Sequence, residues 1–392
     1  MSLAAPQASS VSSVLRVLDA QGLDALLQQI RSHGFELLGP TVRDGAILYD
    51  EIESVADLPR GWTDEQHGGS YRLIRRVDAA LFGYTVGPRS WKHFLHPSSA
   101  SLFRARRTPD GFRCEADTSA PRRMAFLGVR GCDLRAIELQ DRVLMGGPHV
   151  DPAYKARREN ALLVAVHCAN AGTNCFCASM GAGPRAASGF DLALTELTDH
   201  GRHEFLLEVG SPSGQKVAEG LPGRTSTDQD TASAEAQARS AAATVRKSLP
   251  LERLKEKLYT SHLHPRWEKI AEKCLACGNC TQVCPTCFCT TVDDVTDLAA
   301  ATTERRRRWD SCFSLEYSYI HGGSIRQSVG ARYRQWLTHK LASWQDQYGS
   351  PGCSGCGRCI TWCPVGIDIT EEARAVTGGT PKGSASPAGG RR

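Results

Sequence analysis

Two cysteine motifs with the same spacing carry the strongest chemical signal in this sequence of 392 residues. Each has the form C-x2-C-x2-C-x3-C-P, in which three thiols lie on a short loop and a fourth thiol precedes a proline. Three thiolates at this spacing can hold one face of a cubane iron–sulfur cluster, while the fourth points away toward a second cluster. The motif cysteines are Cys274, Cys277, Cys280 and Cys284, and Cys353, Cys356, Cys359 and Cys363.

The repeat predicts two [4Fe-4S] clusters that exchange one ligand between the motifs. Paired clusters at a fixed separation are suited to passing single electrons. Two four-cysteine zinc sites are the alternative, but zinc ribbons use separated C-x2-C pairs without the third cysteine and the proline. We expect a first-motif site of Cys274, Cys277, Cys280 and Cys363, and a second-motif site of Cys353, Cys356, Cys359 and Cys284.

Four further cysteines lie near the ends of predicted strands in the N-terminal half. Cys132 follows one strand, Cys168 ends another, and Cys175 and Cys177 lie in the loop "NCFCASMGAGP". If the two strands are neighbours, all four thiols meet at one end of a sheet, where open α/β sheets place their ligands. The pattern predicts a third iron–sulfur cluster, and the alternative is a group of buried cysteines beside a glycine-rich turn.

Three cysteines behind the first motif form an extra candidate metal site: Cys287, Cys289 and Cys312. They lack a fourth ligand unless His321 or another group supplies it. The alternative is that they pack as small apolar side chains around the clusters. Cys114 stands alone and has no predicted role.

Apolar spacing predicts the elements that must position these thiols. Residues 23–30 have helical spacing, and "FELLGPTVRDGAILYDEI" is typical of two strands around a turn. "MAFLGV" and "ALLVAVHC" are compact apolar runs separated by a helical pattern, which indicates a strand–helix–strand unit. "YRLIRR" and "ALFGYTVG" are predicted as further strands. Helical spacing dominates toward the C-terminus, at 251–258 and 329–344.

These elements predict an α+β fold, in which an N-terminal α/β domain precedes a mostly helical ferredoxin-type domain with two clusters. We expect the α/β domain, with the third metal site, at residues 1–210 and the α-helical ferredoxin-like domain at residues 249–376. The stretch 211–248 is rich in small and polar residues and predicts a flexible linker. The tail at 377–392 has the composition of a disordered segment.

Composition argues against several functional classes. A net charge of +5, spread over many opposite charges, does not suggest a nucleic-acid surface, and the basic run at 304–308 is predicted as a solvated turn or docking edge. No targeting segment or run of about 20 apolar residues is apparent, so we expect a soluble, cytoplasmic protein without membrane contact. Sixteen cysteines in that compartment favour metal or redox chemistry over disulfides. The glycines form no dinucleotide-binding fingerprint.

A family resemblance extends over most of residues 30–375. The sequence resembles the iron–sulfur β subunit of cytoplasmic multimeric [NiFe] hydrogenases, of the sulfhydrogenase or NADP-linked type. It is also similar to the A subunit of anaerobic sulfite reductase. The segments that carry the resemblance include "LYDEI", "LFGYTVGPRSWKHFLHP", "GVRGCDL", "CFCASMGAGP", "CGNCTQVCPTCFC", "RRWDSC" and "CSGCGRCITWCPVGIDI".

The resemblance implies an electron-transfer subunit with [4Fe-4S] clusters and no catalytic residues of its own. Its partners would be a separate subunit that carries flavin and binds NAD(P), and the small and large subunits of a [NiFe] hydrogenase. Two alternatives stay open at this point: an electron-transfer subunit of an anaerobic sulfite reductase, and a redox-sensing or scaffold iron–sulfur protein. No hydrolytic triad or paired-carboxylate arrangement is apparent in the sequence.

Overall fold

The computed structural model describes residues 15–116, 121–299 and 301–378. The strands in these ranges are β1 (Arg16–Leu18), β2 (Glu36–Arg43), β3 (Ala46–Glu51), β4 (Trp62–His67), β5 (Ser70–Arg75), β6 (Ser99–Thr108), β7 (Gly111–Ala116), β8 (Met124–Val129), β9 (Ala161–Val166), β10 (Leu192–Leu197), β11 (Glu204–Val209), β12 (Arg224–Thr225), β13 (Thr290–Thr296), β14 (Thr302–Trp309), β15 (Tyr319–Ile320) and β16 (Gly323–Ser324).

The helices in the same ranges are mostly short. They are α1 (Ala20–Ser32), α2 (Lys92–Leu95), α3 (Gly131–Leu144), α4 (Pro152–Glu159), α5 (Pro212–Ala218), α6 (Asp228–Thr244), α7 (Leu254–Thr260), α8 (Arg266–Ala271), α9 (Asn279–Gln282), α10 (Val329–Thr338), α11 (Trp344–Tyr348), α12 (Arg358–Thr361) and α13 (Ile369–Thr377). A π-helical turn, His339–Ser343, joins α10 to α11.

An eight-stranded mixed sheet organises the N-terminal part, in the order β12-β1-β11-β10-β9-β8-β2-β3. The four central strands β2, β8, β9 and β10 are parallel, and the outer strands pair antiparallel. Along β8, Ala125 and Leu127 pack into one apolar cluster, and Phe126 and Val129 pack into another on the opposite face. Because both faces are buried, the sequence of β8 is a continuous apolar run.

The predicted strand–helix–strand unit is present as β8, α3 and β9. The two strands are parallel neighbours, with Phe126 opposite Leu163. Helix α3 begins at Gly131, directly after β8. The carboxyl ends of β8 and β9 therefore lie side by side, and the loops that follow them share one edge of the sheet.

Short helices surround an aromatic core in the C-terminal part. Trp267, Phe313, Tyr333 and Trp336 pack against one another, and apolar residues of α7, α8, α10 and α13 join them. The motif cysteines line the edge of this core. The architecture confirms the α+β fold, with a sheet-rich N-terminal part and a ferredoxin-type C-terminal part.

A second sheet connects the two parts, in the order β13-β14-β6-β7. β14 contains the basic run 304–308, which was predicted as a turn or docking edge and is instead an inner strand between β13 and β6. Acidic partners make the strand possible: Arg305 pairs with Asp294 on β13, and Arg307 pairs with Asp151. Apolar spacing cannot predict a strand of charged residues, because cross-strand ion pairs replace apolar contacts in such a strand.

The stretch 211–248, predicted as a flexible linker, instead contains α5, β12 and α6. Helix α6 is alanine-rich, which favours helix formation, and Thr227 and Asp230 form a reciprocal capping box at its start. Asp230 also accepts hydrogen bonds from Arg202 and Arg224, which fastens the helix to the main sheet. Helix propensity and capping therefore outweigh the low hydrophobicity of the segment.

The segment "ALFGYTVG", residues 80–87, was predicted as a strand and is a loop in the structure. Side chains satisfy its backbone in place of a neighbouring strand. The Glu196 carboxylate accepts from the amides of Leu81 at 2.6 Å and Phe82 at 2.8 Å. Arg130 donates to the carbonyls of Phe82 at 2.8 Å and Tyr84 at 3.0 Å.

The two ends of the chain are only partly described. The predicted tail at 377–392 lies outside the described residues from position 379 onward, and α13 ends at Thr377. Among the residues that the structure does describe, no helix combines the length and the apolar character needed to cross a bilayer.

Candidate iron–sulfur centres

The four predicted ligands of the first-motif site line one cavity. Its volume is about 420 Å³ including its open mouth, and its other walls are mainly the apolar side chains of Phe313, Tyr333, Trp336 and Ile367. The predicted ligands on its lining are Cys274, Cys277, Cys280 and Cys363. A thiol from the second motif thus meets three thiols of the first, as the ligand exchange requires.

Backbone amides support the sulfur atoms of this site. The amide of Ala276 donates to Cys274 Sγ at 3.4 Å, and the amide of Ile367 donates to Cys363 Sγ at 3.3 Å. Gly278 has φ +73°, a left-handed conformation that glycine adopts without strain, and it precedes α9. Burial raises the pKa of the Cys280 thiol well above its usual value, and the charges of neighbouring thiols raise it further. Metal binding at this set would therefore require release of the thiol protons.

The second-motif site is the more deeply buried of the two. Burial raises the pKa of the Cys359 thiol well above its usual value, and charge on Cys353, Cys284 and Cys356 raises it further. These four thiols are therefore close enough to interact electrostatically. The amide of Gly355 donates to Cys353 Sγ at 3.4 Å. The last thiol of the first motif thus lies with three thiols of the second.

Two buried lysines near Cys284 were missed by sequence reasoning. Lys340 Nζ donates to Cys284 Sγ at 3.3 Å, and Lys92 Nζ donates to the Cys284 carbonyl at 3.2 Å. A hydrogen bond from Cys287, together with the charge of Lys340, holds the pKa of the Cys284 thiol well below its usual value. Lys340 belongs to no recognisable motif and lies far from Cys284 along the chain. Lys92 lies in the segment "LFGYTVGPRSWKHFLHP", which carries part of the family resemblance, but nothing in the sequence indicates its contact with the distant Cys284.

The third set of thiols meets at the carboxyl ends of β8 and β9, as predicted from their order. Cys132 lies in the first turn of α3, and Cys168 lies two residues after β9. Burial raises the pKa of the Cys177 thiol to about 12, with contributions from the charges of Cys168 and Cys356. Burial also raises the pKa of the Cys175 thiol, and charge on Cys177 and Cys168 adds to the effect. Cys168, Cys175 and Cys177 therefore lie close enough to interact, and Cys132 interacts with Cys177.

The third set adjoins the second-motif site directly. Cys132, Cys177 and Cys356 belong to one buried apolar cluster. The amide of Phe176 donates to the carbonyl of Gly355 at 2.9 Å, which ties the two cysteine loops together. The backbones approach so closely that a Cβ atom on Gly357 would lie 2.6 Å from the Asn174 carbonyl oxygen.

A buried ion pair connects the loop of the second cysteine motif to the start of α3. Arg358 donates to both carboxylate oxygens of Asp133, at 2.8 and 3.1 Å, and to the carbonyl of Gly87 at 2.7 Å. Both side chains of the pair are 1% exposed. Asp133 follows Cys132 on α3, and Arg358 lies between Cys356 and Cys359, so the pair links the third set to the second-motif site.

The extra set, Cys287, Cys289 and Cys312, lies beside the second-motif site. Cys287 interacts with Cys284. Burial raises the pKa of the Cys312 thiol to about 12, and charge on Cys289 contributes to the shift. His321, one possible fourth ligand, is exposed in the turn between β15 and β16. Tyr317 interacts with Cys289. A metal site at these three thiols stays a prediction, and Cys114 is exposed on β7.

The spacing of the thiols differs from that of a single-ion site. Among the residues that the structure describes, no three His, Cys, Asp or Glu side chains converge closely enough to hold one metal ion. A tetrahedral zinc site needs each sulfur at about 2.3 Å from the metal. The first-motif thiols instead line the walls of a cavity, which suits a group with several metal atoms.

Comparison with known proteins agrees with this geometry. The family described as a 4Fe-4S dicluster domain matches residues 273–367, a range that contains both motifs. The chain is 32% identical over 334 residues to sulfhydrogenase 2 subunit beta of Pyrococcus furiosus, an alignment that covers 81% of this chain and 93% of that protein. No solved structure matches the chain.

Proposed function

Since the chain belongs to the family of sulfhydrogenase β subunits, we propose that it is the electron relay of a [NiFe] hydrogenase complex linked to NAD(P) through a separate flavin subunit. The chain is an iron–sulfur electron-transfer subunit. The proposal adds the number of relay sites, the flavin-bearing partner and the cytoplasmic location expected from the sequence.

The observation that carries the proposal is the serial arrangement of three thiol sets. The third set, Cys132, Cys168, Cys175 and Cys177, adjoins Cys356 of the second-motif site. Cys359 of the second-motif site lines the cavity of the first-motif site. Cys277, at the far end of the series, is exposed. A bound [4Fe-4S] cluster at each set would supply one-electron reduction and oxidation.

The chain's own residues fit this role by position and by burial. Apolar and aromatic side chains exclude water from the inner sets, and backbone amides and two lysines donate hydrogen bonds around the sulfur atoms. The described residues hold the three sets on neighbouring short helices and on one edge of the main sheet. Fixed separations of this kind keep successive electron transfers reproducible.

The proposal is tested by purifying the native complex without oxygen. We expect a [NiFe] large subunit and a flavin subunit to copurify. This chain, separated from them without oxygen, is expected to retain about twelve iron atoms, four for each of three sets. About eight iron atoms would remove the third set from the relay. Copurification with a sirohaem subunit in place of the [NiFe] subunit would overturn the hydrogenase assignment.

The third set has a separate test in a matched pair of variants. Cys168→Ser is expected to lower the iron content by about four atoms and to leave the signals of the two motif sites intact. Cys114→Ser, at an exposed cysteine on β7, is the control and is expected to retain all the iron. Equal iron in both variants would show that Cys168 holds none.

A further inference from the structure

A buried lysine in an irregular helical turn faces the second-motif site. Lys340 lies in the π-helical turn His339–Ser343 and is only 5% exposed. Such turns insert one extra residue into a helix and occur frequently at functional sites. Here the turn directs a long cationic side chain from the end of α10 toward the cysteine loops.

The ammonium group of Lys340 uses all three of its N–H donors. Its acceptors are Cys284 Sγ at 3.3 Å, Thr286 Oγ1 at 2.8 Å and the Gly352 carbonyl at 2.9 Å. Thr286 Oγ1 in turn donates to the Gly352 carbonyl at 2.7 Å. The cation is therefore held in one position with a direct bond to sulfur.

The hydrogen bonds of Lys340 place its ammonium group directly against the second-motif thiol set. Among the described residues, its hydrogen-bond acceptors include no carboxylate. The ammonium group of Lys340 therefore contacts a sulfur atom and not an acidic side chain.

Several other cations near the motifs have different partners. Arg358 forms a bidentate pair with Asp133, and the arginines of β14 pair with carboxylates, as Arg305 does with Asp294. Lys92 reaches only the backbone carbonyl of Cys284 and lies over the ring of Trp309, 3.7 Å from its centre. Lys340 differs from Arg358, Arg305 and Lys92 because it donates directly to the sulfur of a predicted motif ligand.

We propose that Lys340 raises the midpoint potential of the second-motif site by stabilising negative charge on the Cys284 sulfur. Reduction adds one electron from a redox partner to the cluster and its ligands, with no bond made or broken. A fixed cation that donates a hydrogen bond to a ligand sulfur stabilises this added charge, and hydrogen bonding and burial are recognised determinants of cluster potential. Lys340 acts through Cys284 and is thus a positioning residue. The inference rests on the proposed relay function.

The test compares midpoint potentials in the native complex. Lys340→Met is expected to shift the potential of the second-motif site downward and leave that of the first-motif site unchanged, in redox titrations followed by electron paramagnetic resonance. Lys340→Arg is expected to recover part of the shift, since it restores the charge. Lys255→Met removes a lysine that pairs with Asp346 on α11 and is the control, with wild-type potentials at both sites.

The possible outcomes separate this inference from the relay function itself. An unchanged second-motif potential in Lys340→Met, with full iron content, would overturn the inference and leave the relay intact. Loss of the second-motif iron in every Lys340 variant, Arg included, would make the lysine a structural residue and would equally overturn it. Wild-type complex without reducible paramagnetic centres would instead overturn the relay.

Discussion

At the level of single residues, Cys284 has the most informative surroundings. It belongs to the first motif by sequence, yet its charge acts on Cys353, Cys356 and Cys359 of the second. The proline after it ends the short helical stretch that follows the first cysteine loop. The Cys284 thiol therefore interacts with the thiols of the second motif.

Replacing Cys284 should affect the motif to which it does not belong by sequence. Cys284→Ser is expected to destroy or strongly alter the paramagnetic signal of the second-motif site and leave that of the first-motif site in place, because the serine oxygen is a poor iron ligand beside three thiolates. Spectra of the single variant, assigned against Cys277→Ser, check the expectation. Selective loss of the first-motif signal would contradict the exchange of ligands.

Asp133 is a second residue with an outsized expected effect. Asp133→Ala would leave Arg358 buried without its partner, and removal of one member of a buried pair costs about 3–5 kcal/mol. Denaturant unfolding of the anaerobic variant should show a large decrease in the free energy of unfolding. Asp294→Ala is the matched control, because its pair with Arg305 is about half exposed on both sides and solvent screens such a pair, so its removal is expected to change the free energy of unfolding little. Equal losses would contradict the buried-pair argument.

At the level of elements, the hairpin of β4 and β5 supports the first-motif site from the N-terminal part. Its turn contains Gly69, whose amide donates to the Ile360 carbonyl at 3.1 Å, and Tyr71 stacks on Trp362 with ring centres 5.1 Å apart. The hairpin therefore rests on the loop that presents Cys363. No cysteine lies in the hairpin itself, so its role follows from packing alone.

A matched pair of glycine substitutions tests this support. Gly69 has φ +76°, and a Cβ atom there would lie 2.8 Å from the Cys363 carbonyl oxygen. Gly69→Ala is expected to displace the Cys363 loop and alter the first-motif signal. Gly45→Ala in the hairpin of β2 and β3 has the same backbone strain at φ +72° but meets no atom within 4 Å. Its spectrum is expected to match the wild type; a change in both variants would attribute the effect to strain.

The elements also show what sequence reasoning can and cannot supply. The apolar runs of β8 and β9 and the periodic α1 were predictable, since burial on one or both faces leaves a periodic or continuous apolar pattern. The cysteine spacing similarly identifies the two motif sites. Apolar spacing did not predict β14 and α6, because β14 relies on cross-strand ion pairs such as that of Arg305 with Asp294, and α6 relies on alanine content and a capping box. Lys340 was not predictable, because its partner Cys284 is distant in the sequence.

At the level of the whole molecule, the two parts differ in what holds them together. The main sheet has a continuous apolar core on both faces, with β8 and β9 almost fully buried. The cysteine loops depend instead on α9 and α12, which have four residues each. Helices of this length are unstable on their own, so bound metal is expected to stabilise this part selectively.

Removal of the metal should therefore loosen one part of the molecule and not the other. After anaerobic chelation of iron, amide hydrogen exchange is expected to accelerate around α9 and α12 and to stay slow in β8 and β9. Hydrogen exchange read by mass spectrometry, with the untreated protein as control, measures both regions in one experiment. Uniform acceleration across the chain would contradict a metal-independent main sheet.

The pairing of β6 with β14 limits how the molecule can be dissected. Because β6 lies between β2 and β8 in the chain and β14 follows the first cysteine motif, any fragment cut near residue 249 separates strands that belong together. A truncated ferredoxin half would carry β14 with one unpaired backbone edge, and such edges recruit other chains and promote aggregation. Expression of this half by itself calls for a replacement strand that covers that edge.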